Sequence, residues 1–469
     1  MIPPYHKVAD KILALVGALS YYDHKRQLLI GCIAIFVYIF HGAIVSILSN
    51  EVFVAFIFAV LLYVIANPAR STVIVGLIFA ASIVAQSPVI PALTSINGNI
   101  FYLGFSAIAL VLLIRRLERL ALIWLVVVFV LSLQLLAAIY WFEPKLIVLP
   151  VYFLSALLIA SSLKDVELHR YVAWATKLAI VLLIGGFIGL FYTLILGGDA
   201  IFSFSNEDTR SNGLYLTTFS NWYVRGVIRP SGIYDEPGAL SLIVCLIAAI
   251  REKINAPRRT TTLILIMGLI TLSVAHVLFL ICYLLEISKK SIFSSGFKFA
   301  VAFSFIFVVI YNSPFRDVFD EFLFSRFEVI DGRLAGDNRS ALIENSINYL
   351  GNIEVLVFGL DSDCIANAEA CRQKGYDQFG DNPLGPLVLG GITQFFPYYA
   401  VVVCLLGISI IKKSPIVFGS ALLLLSRNEV MSYSYSLLIM IYVILVFNLT
   451  YEYRMGQKQL LKHERFFMQ

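Results

Sequence analysis

The segment Arg229-Pro-Ser-Gly-Ile-Tyr-Asp-Glu-Pro-Gly238 stands where a polar, arginine-bearing loop gives way to a hydrophobic helix opening Ala239-Leu-Ser-Leu-Ile-Val. Pro237 has a fixed φ and no backbone N–H, so it suits the first turn of that helix, and Asp235 and Glu236 lie where a helix start favours negative charge. A guanidinium and two carboxylates therefore meet at the mouth of an apolar helix. The plain alternative is a capped helix with Arg229 as a loop counter-ion. What surrounds the segment decides between the two.

The chain has 469 residues, of which 59% are hydrophobic and only 14% charged, with a mean hydropathy of +0.86. That composition makes lipid the main solvent and predicts a polytopic membrane protein. A formal charge of +5 over this length implies no nucleic-acid partner. The first 26 residues lack the pattern of a removable signal peptide, and Lys7 to Ser20 reads as an amphipathic helix on the inner membrane surface. Four of the six cysteines fall in apolar spans; Cys364 and Cys371 share one polar loop and form the candidate disulfide, as in an oxidising compartment. No Cys or His spacing fits a metal site, and neither metal nor cofactor is expected.

Apolar runs separated by Lys/Arg clusters set the topology through the positive-inside rule. Spans are predicted at Gln27–Leu48, Val52–Ala66, Thr72–Gln86, Ile100–Ile114, Leu120–Tyr140, Leu146–Ser162 and Tyr171–Leu196. Seven crossings from an inner N-terminus leave residues 197–236 outside as a first large loop. The next span, Pro237–Ile250, returns to the basic segment 251–259. The run Thr261–Ile287 has a basic pair at each end, Arg258-Arg259 and Lys289-Lys290, so a single crossing would strand one pair on the wrong side. Two short helices with a bend near Thr271–His276 are predicted instead, and His276 reads as a packed polar residue. Half-spans of this kind survive where protein covers their exposed backbone.

Lys298–Tyr311 then crosses outward to a second large loop, residues 312–382, which holds 13 acidic and 6 basic residues and an amphipathic helix at Arg339–Tyr349. Pro383–Ile411 returns, and Pro415–Ser426 and Tyr433–Leu449 close the set around Arg427-Asn428-Glu429. The expectation is an all-α polytopic membrane protein in one domain, residues 1–469. It has about 14 transmembrane helices by the span rule, two short helical hairpins included, and both ends inside.

The two large loops carry Arg210, Arg225, Arg229, Arg316, Arg326, Arg333, Arg339 and Arg372 but one lysine, Lys374. A planar guanidinium grips phosphate or carboxylate oxygens in pairs and keeps its charge when desolvated. The bias points to an anionic ligand delivered by the membrane; the alternative is pairing with the carboxylates of the same loops. Arg427, near a bend between spans, needs a partner such as Glu429 or an outer-facing cavity. Candidate bases are Asp235, Glu236 and Asp381, while Trp222, Tyr223 and Tyr234 serve as interfacial anchors or sugar-stacking rings.

The segment Arg229-Pro-Ser-Gly-Ile-Tyr-Asp-Glu-Pro237 resembles the Arg-x-Ser-Gly-x-x-x-Glu-Pro motif of the bacterial O-antigen polymerase (Wzy) family, within the superfamily shared with O-antigen ligases. Further matches are Leu272-Ser273, Arg339 with its amphipathic helix followed by Phe358-Gly359-Leu360, and Asp381-Asn382 with Gly390-Gly391. The likeness runs from about Leu214 to Ile411. It implies a C-type, metal-independent glycosyltransferase of the bacterial inner membrane, facing the periplasm. Its donor and acceptor would be undecaprenyl-pyrophosphate-linked oligosaccharides, with a chain-length regulator as a partner. Catalytic roles are expected for Glu236, Asp381, Arg229 and Arg339, and substrate contacts for Arg210, Arg225, Arg326, Arg333, Arg427 and Tyr234. Ligases of the superfamily place a histidine where this chain has Asp381, which favours a polymerase over transfer to lipid A core. A lipid-linked oligosaccharide flippase and a non-catalytic assembly scaffold are the readings from other classes.

Overall fold

The computed structural model describes residues 70–84, 87, 98–117, 126–133, 135, 139, 148–205, 211–224, 226–288, 329–330, 333–334, 338–360, 382–426 and 435–447. The spans expected at Gln27–Leu48, Val52–Ala66 and Lys298–Tyr311, and the surface helix at Lys7–Ser20, lie outside these residues.

Helices dominate. The first is α1 (Arg70–Phe79), running on into a short π-helical stretch, Ala80–Val84; α2 (Gly98–Leu117), α3 (Val148–Ser162) and α4 (Asp165–Leu196) follow. Their apolar composition explains both their formation and their packing, since α2 lies on α3 and α1 on α4 through a shared core that includes Ile74, Ile78, Tyr102 and Tyr171. The 32 residues of α4 make it the one described helix long and apolar enough to cross a membrane; α1 with its π extension and α3 belong to a group of shorter apolar helices.

Two faces of α4 differ. Ile184, Ile188, Phe191 and Ile195 are spaced at helical intervals and are 47%, 43%, 58% and 71% exposed, a continuous apolar stripe on one side of the helix. The opposite face is buried and carries Gly185, Gly186 and Gly189. A side chain at Gly189 would collide with Thr218 and with the Tyr215 carbonyl, and one at Gly186 would meet Pro230 at 3.0 Å. These three positions let the following loop lie directly on the helix.

That loop departs from the all-α expectation. Strands β1 (Phe202–Ser205), β2 (Ser211–Tyr215) and β3 (Thr218–Ser220) form an antiparallel sheet in the order β1-β2-β3. A second antiparallel pair is made by β4 (Tyr223–Val224) and β5 (Val227–Ile228). Phe202, Phe204, Leu214 and Phe219 gather in a small apolar cluster of the first sheet. The Thr217 hydroxyl donates to the Gly185 carbonyl at 2.7 Å. The loop thus folds back along the helix instead of standing beyond its end, and Pro230 lies beside Gly186, ten residues or about 15 Å before the last helical residue.

The next helix, α5 (Pro237–Lys253), is buried along almost its whole length. The run expected to split does so: α6 (Arg258–Gly268), a 3₁₀ turn (Leu269–Thr271) and α7 (Val274–Ile287) replace one continuous helix, with the break at Leu272-Ser273. After the short β6 (Val329–Ile330) and β7 (Arg333–Leu334) come α8 (Asn338–Leu350), α9 (Ile353–Phe358), α10 (Gly385–Ile411), α11 (Pro415–Ser426) and α12 (Ser436–Val446). The expected Arg339–Tyr349 helix corresponds to α8. Helix α11 packs on both α7 and α10, and α12 on α3 and α5, which ties the two halves of the sequence into one core.

Side chains lock one end of this bundle. Arg116 of α2 donates to both carboxylate oxygens of Glu167, at 2.6 and 3.0 Å, and to the Ser162 carbonyl, while the Lys164 amide donates to Glu167 Oε2. The Arg170 guanidinium donates to Thr72, and Ser414 donates its hydroxyl to Glu286 beside the start of α11.

Candidate functional site

The motif around Arg229 is built on the break in the α6–α7 hairpin. Arg229 Nε donates to the Thr271 carbonyl at 3.1 Å, and Nη2 donates to the Leu272 carbonyl at 3.3 Å. These carbonyls are available because the helix tightens to 3₁₀ geometry and stops, which leaves its last C=O groups without helical partners. Leu272 has φ +50°, a left-handed backbone costly for a branched side chain, and the fork of Arg229 helps hold it. The plain reading of Arg229 as a counter-ion is therefore incomplete, because its guanidinium is spent in part on main-chain oxygens.

Order in the motif comes from its own polar atoms. The Ser231 hydroxyl contacts two carbonyls, those of Phe219 and Tyr234, at 2.8 and 2.7 Å, and the Ser231 amide donates to Phe219. Gly232, at φ +67°, bridges back to Phe219, and its amide donates to the Thr218 hydroxyl oxygen at 3.0 Å. Ser-Gly of the motif is thus what welds the loop to the β-sheet.

Glu236 occupies the N-cap position of α5 with extended backbone, yet its carboxylate makes no capping bond. Ser273 at the head of α7 likewise makes no side-chain cap. Two helix N-termini, each carrying roughly half a positive charge in its unsatisfied amides, therefore start near the Arg229–Leu272 contact, and α5 packs against both the 3₁₀ turn and α7. Helix starts and a guanidinium together favour an anion at this corner.

Tyr234, expected among the substrate contacts, is 1% exposed and packs in the main core. The open aromatic surface is instead Tyr223, 40% exposed, whose ring stacks on Tyr215 at 5.6 Å with 6° between planes. Burial, then the neighbouring Tyr223 and Asp199, raise the Tyr215 phenol above its ordinary pKa.

A second group of the quoted motifs meets elsewhere in the fold. Gly391 interrupts α10 with φ +57°, and a side chain there would run into the backbone of Val357 and Gly359. Gly359, at φ +82°, ends α9, and the Leu360 amide donates to the Val388 carbonyl at 2.8 Å. Phe358-Gly359-Leu360 and Gly390-Gly391 are thus one joint. Asn382 is fully buried; its Nδ2 donates to Ser346 of α8 at 3.0 Å, and its Oδ1 accepts from the Leu384 amide at 2.8 Å. The order of these motifs in sequence gave no hint that they would meet through backbone atoms.

Arg333 lies in β7, and Arg339 is the second residue of α8. Arg210, Arg225, Arg326, Arg427, Asp381, Cys364 and Cys371 fall outside the described residues, so the expected disulfide and the expected Asp381 base do too. Among the described residues no group of three His, Cys, Asp or Glu side chains is arranged to hold a metal ion. No family model, curated protein or solved structure matches the chain.

Proposed function

We propose that the chain is a polymerase of surface polysaccharide in the bacterial inner membrane. In this reading it transfers a growing glycan from its undecaprenyl pyrophosphate onto the non-reducing end of a lipid-linked repeat unit at the periplasmic face. The observation that carries the reading is the Arg229 corner, where a guanidinium fixed on a hairpin tip stands with the starts of α5 and α7. The apolar stripe on α4 gives this reading its membrane setting.

The reaction makes one bond and breaks one. A sugar hydroxyl oxygen attacks the anomeric carbon of the donor, the bond from that carbon to pyrophosphate breaks, and its electron pair leaves with the lipid pyrophosphate. The hydroxyl proton passes to a carboxylate within hydrogen-bond reach, Glu236 or Asp381. Direct displacement inverts the anomeric centre. Charge grows on the pyrophosphate as the bond breaks, and fixed cationic donors stabilise it without reorganising. Arg229 and Arg339 take that role, with Arg210, Arg225, Arg326, Arg333 and Arg427 as further contacts along the lipid-linked glycan. Tyr223, on its stacked neighbour, offers a ring face to a sugar.

The recess of the corner, about 15 Å short of the end of α4, suits a pyrophosphate held at headgroup depth by its lipid tail. The same recess favours the second reading, a flippase for lipid-linked oligosaccharide, because transporters hold substrate well inside the membrane. Reconstitution separates them. Purified protein in nanodiscs, given lipid-pyrophosphate repeat units and nothing else, is expected to produce a ladder of longer glycans with release of lipid pyrophosphate. Absence of any ladder, together with movement of the same lipid across proteoliposome bilayers, would replace the polymerase with the flippase.

A further inference from the structure

The break in the hairpin is held from below as well as from above. His276, in the first turn of α7, is fully buried, and its ring touches two other helices. Nε2 lies 2.8 Å from the Leu265 carbonyl of α6. Nδ1 lies 3.3 Å from Ser241 Oγ and 3.4 Å from Cys245 Sγ, both on α5. A carbonyl only accepts, so Nε2 carries the proton and Nδ1 accepts from the hydroxyl or thiol.

The Leu265 carbonyl is open to His276 because of the 3₁₀ turn. The Leu269 amide, which a continuing α-helix would point at Leu265, bonds to Ile266 and Met267 instead. Space for the ring comes from Gly268, where any side chain would strike the imidazole. One turn thus frees a carbonyl for His276 at its base and two carbonyls, Thr271 and Leu272, for Arg229 at its tip.

We infer that His276 is a positioning residue for the Arg229 site: by joining α6, α7 and α5 in its neutral Nε2–H form, it sets where the hairpin tip lies and so where the Arg229 guanidinium is held. Its role in glycan transfer rests on the polymerase reading, but its role in holding the tip does not. In this low-dielectric setting the bonds are strong and leaving them unmade is costly. His276→Leu removes both; His276→Gln keeps an N–H donor of similar reach. Gly268→Ala keeps the histidine and displaces its ring, which covers the case in which His276→Leu does not fold.

The test uses the full chain in nanodiscs and two readouts. Amide exchange is followed by mass spectrometry in residues 229–233 and 269–273. The expected result is exchange faster by about tenfold or more in His276→Leu and Gly268→Ala, with His276→Gln close to wild type, as for a lost buried hydrogen bond. Exchange at the tip that is unchanged in both disruptive variants would overturn the inference. In the polymerisation assay the same two variants are expected to lower kcat by about tenfold with little change in donor KM, as for an interaction that matters only when the transition state forms. A wild-type protein that makes no polymer would defeat the polymerase reading, while the exchange result would still decide the role of His276 at the tip.

Discussion

Arg229, in the loop ahead of α5, and Arg251, in the last turn of α5, both reach the α6–α7 hairpin, and they use their donors differently. Arg229 reaches main-chain carbonyls at a break in helical structure and remains partly exposed. Arg251 is 6% exposed and distributes its donors over Thr261 of α6, Thr176 of α4 and the Pro257 carbonyl, at 3.0, 2.9 and 3.1 Å. Arg251 lies in the last turn of α5, where a cation is favoured by the helix dipole. One arginine fastens three elements together; the other stands at a corner where two helices start. Position along a helix, and not residue type, separates a structural cation from a candidate for chemistry.

Substitution at Arg229 should break that comparison most sharply. Arg229→Ala is expected to lower the transfer rate by about a hundred- to a thousand-fold, as for loss of one fixed donor to a developing charge, while loss of its bonds to the tip carbonyls costs only about 1 kcal/mol of stability. Arg229→Lys should recover little, because a single ammonium cannot span the Thr271 and Leu272 carbonyls as a fork does. Rates from the nanodisc assay beside a melting curve check both statements. A large loss of melting temperature would move Arg229 into the class of Arg251.

The Arg116–Glu167 pair sharpens the structural side. Glu167 is buried and Arg116 half-buried, so Glu167→Ala leaves a cation without its bidentate partner and is expected to destabilise by about 3 kcal/mol. Protein that does fold should keep its rate per molecule. Arg251→Met should cost less, about 1–2 kcal/mol, because the Thr176 hydroxyl already donates to Val172 and stays satisfied after the arginine is gone. Thermal unfolding in one detergent, with activity normalised to folded protein, ranks the two. The smallest effect is expected at Thr217→Val, which removes the bond from the sheet to Gly185 and should cost about 1 kcal/mol. Limited proteolysis within residues 197–236 should report it first.

Sequence carried the helical framework further than the loops. The split of Thr261–Ile287 was legible because two basic pairs made one crossing electrostatically untenable, and the break falls at Leu272-Ser273, within the expected bend. Apolar length placed α3, α5 and α11 nearly to the residue. The strands of 197–236 were not legible: they have two to five residues each and no clean alternation, and they are set against the glycine face of α4, a feature distant in sequence. His276 read correctly as a packed polar residue, but its link to Leu265 depends on a 3₁₀ turn that leaves no mark in composition. The partners of Arg229 were hidden for a related reason, since backbone carbonyls carry no residue label. A motif can announce that an arginine matters without saying what it touches.

Whether the Arg229 corner serves glycan polymerisation is decided by the surface-glycan ladder of cells. A strain lacking this chain would be complemented with wild type, Arg229→Ala or Arg251→Met at equal membrane levels. Wild type is expected to give a full ladder, Arg229→Ala a collapse to single repeat units, and Arg251→Met a ladder of normal length once expression is matched. A full ladder from Arg229→Ala would overturn the polymerase role of this corner.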